Sequence, residues 1–339
     1  LQDITLNFTG PGTTPYSGGG GAIIAGGAGA ATTLINVTIS NFDMQLGNGG
    51  AISASSSLAN HSLTITNCIF TNNRAGGAGG AVSYNSQGGT AIISGCTFSG
   101  NQTGPVGANT GGDGGALSTT GGGNGGTYIV EKNTFINNQV LNNTGHGGAV
   151  INTNGILTLR FNRFIGNTCA NVANPPLANI VAQTGGTLNF ANTIADNNWW
   201  GVNTGPGAND AAALAAGGTM TLTKWLQLKT TASPNPICNT AAGLGNTTTV
   251  TASFLSNSAG EAIALSNLST LIGLPVIWSS TLGNLSVPQT TIQANGTATA
   301  TFTSNGTGGT ATVNTQVDNI PAGETSPARA SITVNISPT

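Results

Sequence analysis

Apolar and polar residues alternate in short runs over the first two hundred positions, and the apolar ones do not recur every three or four residues as a helix requires. The runs LTITNCIFTNN (63–73), AIISGCTFSGN (91–101), YIVEKNTFINN (128–138) and LTLRFNRFIGN (157–167) each place Phe and then, three residues on, Asn. Degenerate copies stand at 34–45, with Phe42 as the aromatic residue, and at 188–198, with Ile194 in its place. A Gly-Gly-Ala-aliphatic element recurs at 20–23, 49–52, 79–82, 114–117 and 147–150. Successive Phe positions 42, 70, 98, 135 and 164 are 28, 28, 37 and 29 residues apart, a period that signals a solenoid. One period holds about three strands of ordinary length with their turns. The pattern therefore predicts an all-β chain whose first part is a parallel β-helix, right-handed by the usual chirality of parallel connections.

Stacking such coils brings equivalent residues to the interstrand spacing of about 4.8 Å. Phe70, Phe98, Phe135 and Phe164 then form an interior aromatic row, and Ile65, Ile93, Val130 and Leu159 an aliphatic one. Asn73, Asn101, Asn138 and Asn167 form an amide ladder bonded from coil to coil. Gly-Gly supplies a corner with positive φ where a Cβ would clash. The Gly-Gly-Ala and Phe-x-x-Asn pair over 18–200 resembles the repeats of the chlamydial polymorphic outer-membrane proteins and related adhesins. That resemblance implies a β-helical surface protein.

ADNNWWGVNTGP (195–206) is similar to the closing motif of β-helical surface proteins, including adhesin-like proteins of methanogenic archaea. Trp199 and Trp200 are expected to cap the coil stack, as terminal solenoid repeats require; a carbohydrate-stacking platform is the alternative. AALAAGG (212–218) reads as a helical turn of the same cap. The first domain is thus placed at 1–222 and a second at 226–339, where six or seven longer Thr/Val/Ala strands suggest a β-sandwich. The stretches PVIWSSTLGNLSV and ANGTATATFTSNGTGGTATVNTQV resemble bacterial Ig-like domains of the invasin and intimin type. In such a domain Trp278 is a core residue.

Composition narrows the function. Only 5% of residues are charged and the formal net charge is −2, so no basic surface is available for nucleic acid. No run of 18 apolar residues provides a transmembrane segment. The absence of a signal sequence before Leu1 is read as a chain numbered after processing or within a longer precursor. Low charge and repeats favour an extracellular or cell-surface location. Eleven Asn-x-Ser/Thr sequons occur; Asn284, Asn295 and Asn305 fall in predicted turns and are expected to accept glycans, whereas Asn101 belongs to the ladder and is not.

Catalytic signatures are weak. Glycoside hydrolysis needs two carboxylates within about 5–9.5 Å, and with the coils aligned on Phe, no two of Asp43, Asp113, Glu131 and Asp196 share a column. Glu131 aligns instead with Arg160, and His61 and His146 read as turn residues without an acid nearby. Cys68 and Cys96 are expected as stacked buried thiols; a Cys169–Cys238 bridge is left open. Nothing has zinc spacing, and no cofactor is expected. With so few titratable groups, the fold should be nearly indifferent to pH. The expected function is a non-enzymatic extracellular structural or adhesive protein, the subunit of a filament, fibre or surface layer; the alternative is a carbohydrate-binding or polysaccharide-cleaving module. Head-to-tail self-association is expected through an N-terminal strand bearing Ile4, Leu6 and Phe8, with surface glycans or a host cell-surface partner as further ligands.

Overall fold

The computed structural model describes residues 1–8, 21–27, 29–56, 60–104, 112–120, 125–170, 180–183, 192–214, 218–239, 245–318 and 330–337. The regular secondary structure of the described residues is β, apart from a single short 3₁₀ turn at Leu265–Asn267. The chain forms two compact units, Leu1–Asn198 with Pro206–Thr223, and Trp199–Gly205 with Lys224–Thr339.

The first unit is a parallel β-solenoid whose coils contribute one strand to each of up to four sheets. After Gly-Gly-Ala comes a strand of the entry face, for example Val82–Ser86, then one of the long face, Thr90–Ser94. The phenylalanine face (Thr97–Ser99) and the short face (Gln102–Thr103) complete the coil. Among the described residues, entry and long faces have seven strands each, the phenylalanine face six and the short face five. Every described pairing in these four sheets is parallel and in register, so Ile65, Ile93, Val130 and Leu159 lie in one column of the long face. All four are fully buried.

Backbone chemistry sets the corners. Between long and phenylalanine faces, Asn36, Asn67, Gly95, Lys132, Phe161 and Asn197 each take a left-handed φ. Between phenylalanine and short faces, Asn41, Asn72, Gly100, Asn137 and Gly166 do the same. Gly and Asn dominate because they reach this region at least cost. The Gly-Gly-Ala corner divides the work: Gly49, Gly79, Gly114 and Gly147 have φ near +70°, and Gly50, Gly80 and Gly115 lie against the backbone of the following coil.

Register in the two degenerate copies differs from the sequence alignment. Ile39, not Phe42, pairs with Phe70. At the other end Thr193 pairs with Leu157 and Ile194 with Thr158, which leaves Ile194 facing outward and 41% exposed. Aligning on Phe failed in the first coil because the aliphatic Ile39 fills the interior column of Phe70. Ala211–Ala213, read as helical, is instead a strand paired in parallel with Val181–Gln183; residues 215–217 lie outside the described residues.

Among its described residues the second unit has eight strands: β1 (Lys229–Ser233), β2 (Ile237–Cys238), β3 (Thr247–Ser253), β4 (Val276–Ser280), β5 (Asn284–Ser286), β6 (Thr297–Thr303), β7 (Gly309–Val317) and β8 (Ala330–Ser337). They form two four-stranded sheets, ordered β1-β3-β6-β5 and β2-β8-β7-β4. Val250 and Phe302 from the first sheet share one apolar cluster with Ile237, Val313, Val334 and Ile336 from the second. Trp278 packs partly buried against that cluster.

Candidate functional site

The amide ladder is a continuous coil-to-coil bond network. Asn101 Oδ1 accepts from the backbone N–H of Asn73 at 3.0 Å and from its Nδ2 at 3.1 Å. Asn138 Oδ1 serves Asn101 in the same way, at 3.0 and 2.9 Å, and Asn167 Oδ1 serves Asn138 at 3.0 and 2.9 Å. The second Nδ2 proton of Asn73, Asn101, Asn138 and Asn167 goes to the carbonyl of Ile39, Phe70, Phe98 and Phe135 respectively. Each turn thus has its otherwise orphaned corner groups satisfied inside the fold. Beside the ladder, Phe70, Phe98, Phe135 and Phe164 stack at ring separations of 4.9, 4.8 and 5.0 Å, matching the strand spacing.

A second ladder escaped the sequence reading. Asn133, Asn162 and Asn198 repeat the same bonds at the preceding corner: Asn162 Oδ1 accepts from Asn133 N at 2.9 Å and Nδ2 at 3.0 Å, and Asn198 Oδ1 repeats this for Asn162. Cys68 and Cys96 occupy that column in earlier coils, where sulfur is the acceptor: Val37 N donates to Cys68 Sγ at 3.4 Å and Cys68 N to Cys96 Sγ at 3.3 Å. The signal was the residue two before each Phe, a column that mixes Cys and Asn. None of the four cysteines is in a disulfide, and burial pushes the Cys96 thiol well above its ordinary range.

By this register NNWWGVNT (197–204) aligns with FNRFIGNT (161–168), so the closing motif is itself a repeat. The segment Trp199–Gly205 belongs to the second unit. There the Trp199 ring meets Phe254 edge-on at 5.0 Å, and its Nε1 donates to Asp318 Oδ2 at 2.6 Å. Asn203 accepts from Leu228 N and donates to Leu228 O, both at 2.8 Å. Trp199 is 1% and Trp200 6% exposed, so neither indole offers a face on which a sugar could stack.

The N-terminal strand Thr5–Asn7 pairs with Thr38–Ser40 as the end strand of the phenylalanine face. Ile4 and Phe8 are exposed at 36% and 42%, Leu6 is half-buried, and the Phe8 ring lies 5.9 Å from Phe42. Acids pair with cations here: Glu131 with Arg160 at 2.9 Å, Asp43 with Arg74 at 3.9 Å and Glu261 with Lys224 at 2.8 Å. The Lys224 bond, then that of Asn257, holds the Glu261 carboxyl below the usual range. His146 has an acid beside it after all. It stands in the same corner column as Asp113, whose Oδ1 accepts from His146 N at 2.8 Å and lies 3.7 Å from its Nδ1.

His61, read as a turn residue, precedes the strand Ser62–Thr66 and is buried in the core. It is fully buried, with Nε2 3.1 Å from Thr32 Oγ1 and Nδ1 without a partner. Its carbonyl accepts from Tyr84 OH, whose ring lies 5.9 Å from the imidazole and 5.7 Å from Tyr128. Burial lowers the His61 pKa from its ordinary 6.5, and no charged group lies among these neighbours. The neutral ring therefore contributes stability that is complete above pH ~6.5 and is lost as pH falls through that value toward the lowered one. Thermal melts should show the solenoid losing stability between pH 7.5 and 5, and His61→Gln should flatten that slope. Equal slopes in both proteins would refute the assignment. This replaces the expectation of pH indifference, which counted histidines without knowing that one was buried.

No protein-family model matches the chain, and no curated protein matches it. Among solved structures, the Yersinia pseudotuberculosis adhesin InvE matches at 30% sequence identity over 33% of this chain and 28% of that one, with a TM-score of 0.22. The match thus spans less than a third of that structure. Among the described residues, no helix is long and apolar enough to cross a membrane.

Proposed function

We propose that this protein is a non-enzymatic extracellular structural or adhesive protein, the subunit of a cell-surface filament, fibre or surface layer. The observation that carries the reading is the filled, repetitive interior, in which stacked Phe and Asn occupy equivalent positions in successive coils. Such an interior supports a rod, whose stability adds from coil to coil. The pairing of Asp43, Glu131 and Glu261 with cations, rather than with one another, also favours a structural role over carbohydrate hydrolysis.

The second unit reads best as an Ig-like sandwich. Its orders β1-β3-β6-β5 and β2-β8-β7-β4 follow the A-B-E-D and G-F-C arrangement of that fold, with the first strand divided between the sheets. Within this reading the solenoid is right-handed, and the strand at Thr5–Asn7 accepts or donates an edge in head-to-tail assembly. An exposed edge of this kind propagates rather than closes.

Sedimentation and electron microscopy across a concentration series test this. Filaments that lengthen with concentration are expected, and deletion of residues 1–8 should leave a folded monomer. A full-length chain that stays monomeric at high concentration overturns assembly. Release of reducing sugar from a polysaccharide overturns the non-enzymatic role.

A further inference from the structure

We propose that Asn284, Asn295 and Asn305 carry N-linked glycans that guard the outer edge of the second unit, an inference that rests on the extracellular reading. The eleven sequons differ sharply in structure. Asn101 is fully buried and both its amide protons are used within the fold. Asn142 and Asn246 are 2% and 8% exposed, and Asn36 Nδ2 is committed to Asp3. By contrast Asn7, Asn60, Asn284, Asn295, Asn305 and Asn335 are exposed, and of these Asn284, Asn295 and Asn305 lie on or beside β5 and β6. Asn295 Oδ1 accepts from Thr297 N at 3.1 Å and Oγ1 at 2.9 Å, and Asn305 Oδ1 accepts from Thr307 N at 3.2 Å. The carbonyl oxygen holds each turn, so the amide nitrogen is not needed for it.

Their placement suggests a purpose. β5 ends its sheet, and end strands are usually protected by charge, above all lysine. β5 has no charged residue, nor has β4, the end strand of the other sheet, where Ile277 is 58% exposed. Asn284, expected in a turn, instead lies on β5 opposite Thr303, two residues before Asn305, so two sequons meet at one end of this edge. Asn295 precedes β6 at its other end, roughly 20 Å away for a seven-residue strand at about 3.3 Å per residue. Bulky neutral sugars would block edge pairing where charge is missing.

The donor is a polyisoprenyl-phosphate-linked oligosaccharide. Asn Nδ2 attacks the anomeric carbon, the carbon–oxygen bond to phosphate breaks, the lipid phosphate departs, and one amide proton passes to a base of the transferase.

The test expresses the full chain through a secretory pathway whose transferase reads Asn-x-Ser/Thr. Glycopeptide mass spectrometry of the secreted, folded protein should find sugar at positions 284, 295 and 305 and none at 101. The triple variant N284Q/N295Q/N305Q should melt within a few degrees of the parent yet aggregate at several-fold lower concentration. Bare sequons at 284, 295 and 305, or sugar on Asn101, overturn the site assignment. An equally soluble triple variant overturns the guarding role. Fractionation of the native cells keeps the two readings apart: bare sequons on a surface-located protein defeat only the glycans, whereas an intracellular location defeats the function from which they follow.

Discussion

Gly80→Ala is expected to break the solenoid at its third Gly-Gly-Ala corner. A Cβ on Gly80 would overlap the carbonyl oxygen of Gly115 in the following coil and lie 2.5 Å from Gln102 O. Both obstacles are backbone, and each is held by the in-register pairing of its own coil. Ordinary overpacking costs about 1–3 kcal/mol because side chains can shift; here a rung must move, and the cost should exceed about 4 kcal/mol. At the ~2–4 °C per kcal/mol typical of domains of this size, the melting temperature should fall by about 10 °C or more. Gly260→Ala is the control. Its φ is +83°, but nothing lies within 4 Å of the added carbon, so only about 1–2 kcal/mol of backbone strain is expected. Equal melting shifts for the two variants would show that coil spacing is softer than the geometry implies.

Asn138→Leu should be nearly as damaging, for a different reason. The substitution leaves Asn101 N–H and one Asn101 Nδ2 proton without their acceptor, inside a corner from which water is excluded. Each orphaned buried donor costs about 1–3 kcal/mol, so about 2–6 kcal/mol is expected in total. The removed Nδ2 also deprives Phe98 O and Asn167 Oδ1 of a bond. Asn305→Leu, in an exposed turn, should change stability by only about 0.5 kcal/mol. Chemical denaturation of both variants decides the matter. A cost at position 138 no greater than at 305 would mean that the ladder is ornamental.

Periodicity made the solenoid legible because every coil must meet the same neighbours, so the same residue types return at the same corner. Gly-Gly before Ala, the Phe row and the Asn three residues after it were therefore visible as columns before any contact was known. The degenerate copies were not, since Ile39 can fill a Phe column and only pairing with Phe70 reveals it. The second ladder was hidden by mixed chemistry, sulfur in two coils and amide in three, although one backbone N–H acceptor role unites them. Composition could say that His61 and His146 were few, but not that one was buried against Thr32 and the other stacked beside Asp113.

By itself the sequence determined the β-solenoid, its period and the change of pattern after residue 222, because these follow from local residue preferences repeated many times. Tertiary structure alone decided the register of the end coils, the surroundings of His61 and His146 and the allotment of Trp199–Gly205 to the second unit. The reason is physical. Repetition fixes what one coil offers its neighbour, whereas at the ends the neighbour is different, and the same Asn-x-aromatic pattern that elsewhere supports a further rung places Trp199 against Phe254 and Asp318 instead.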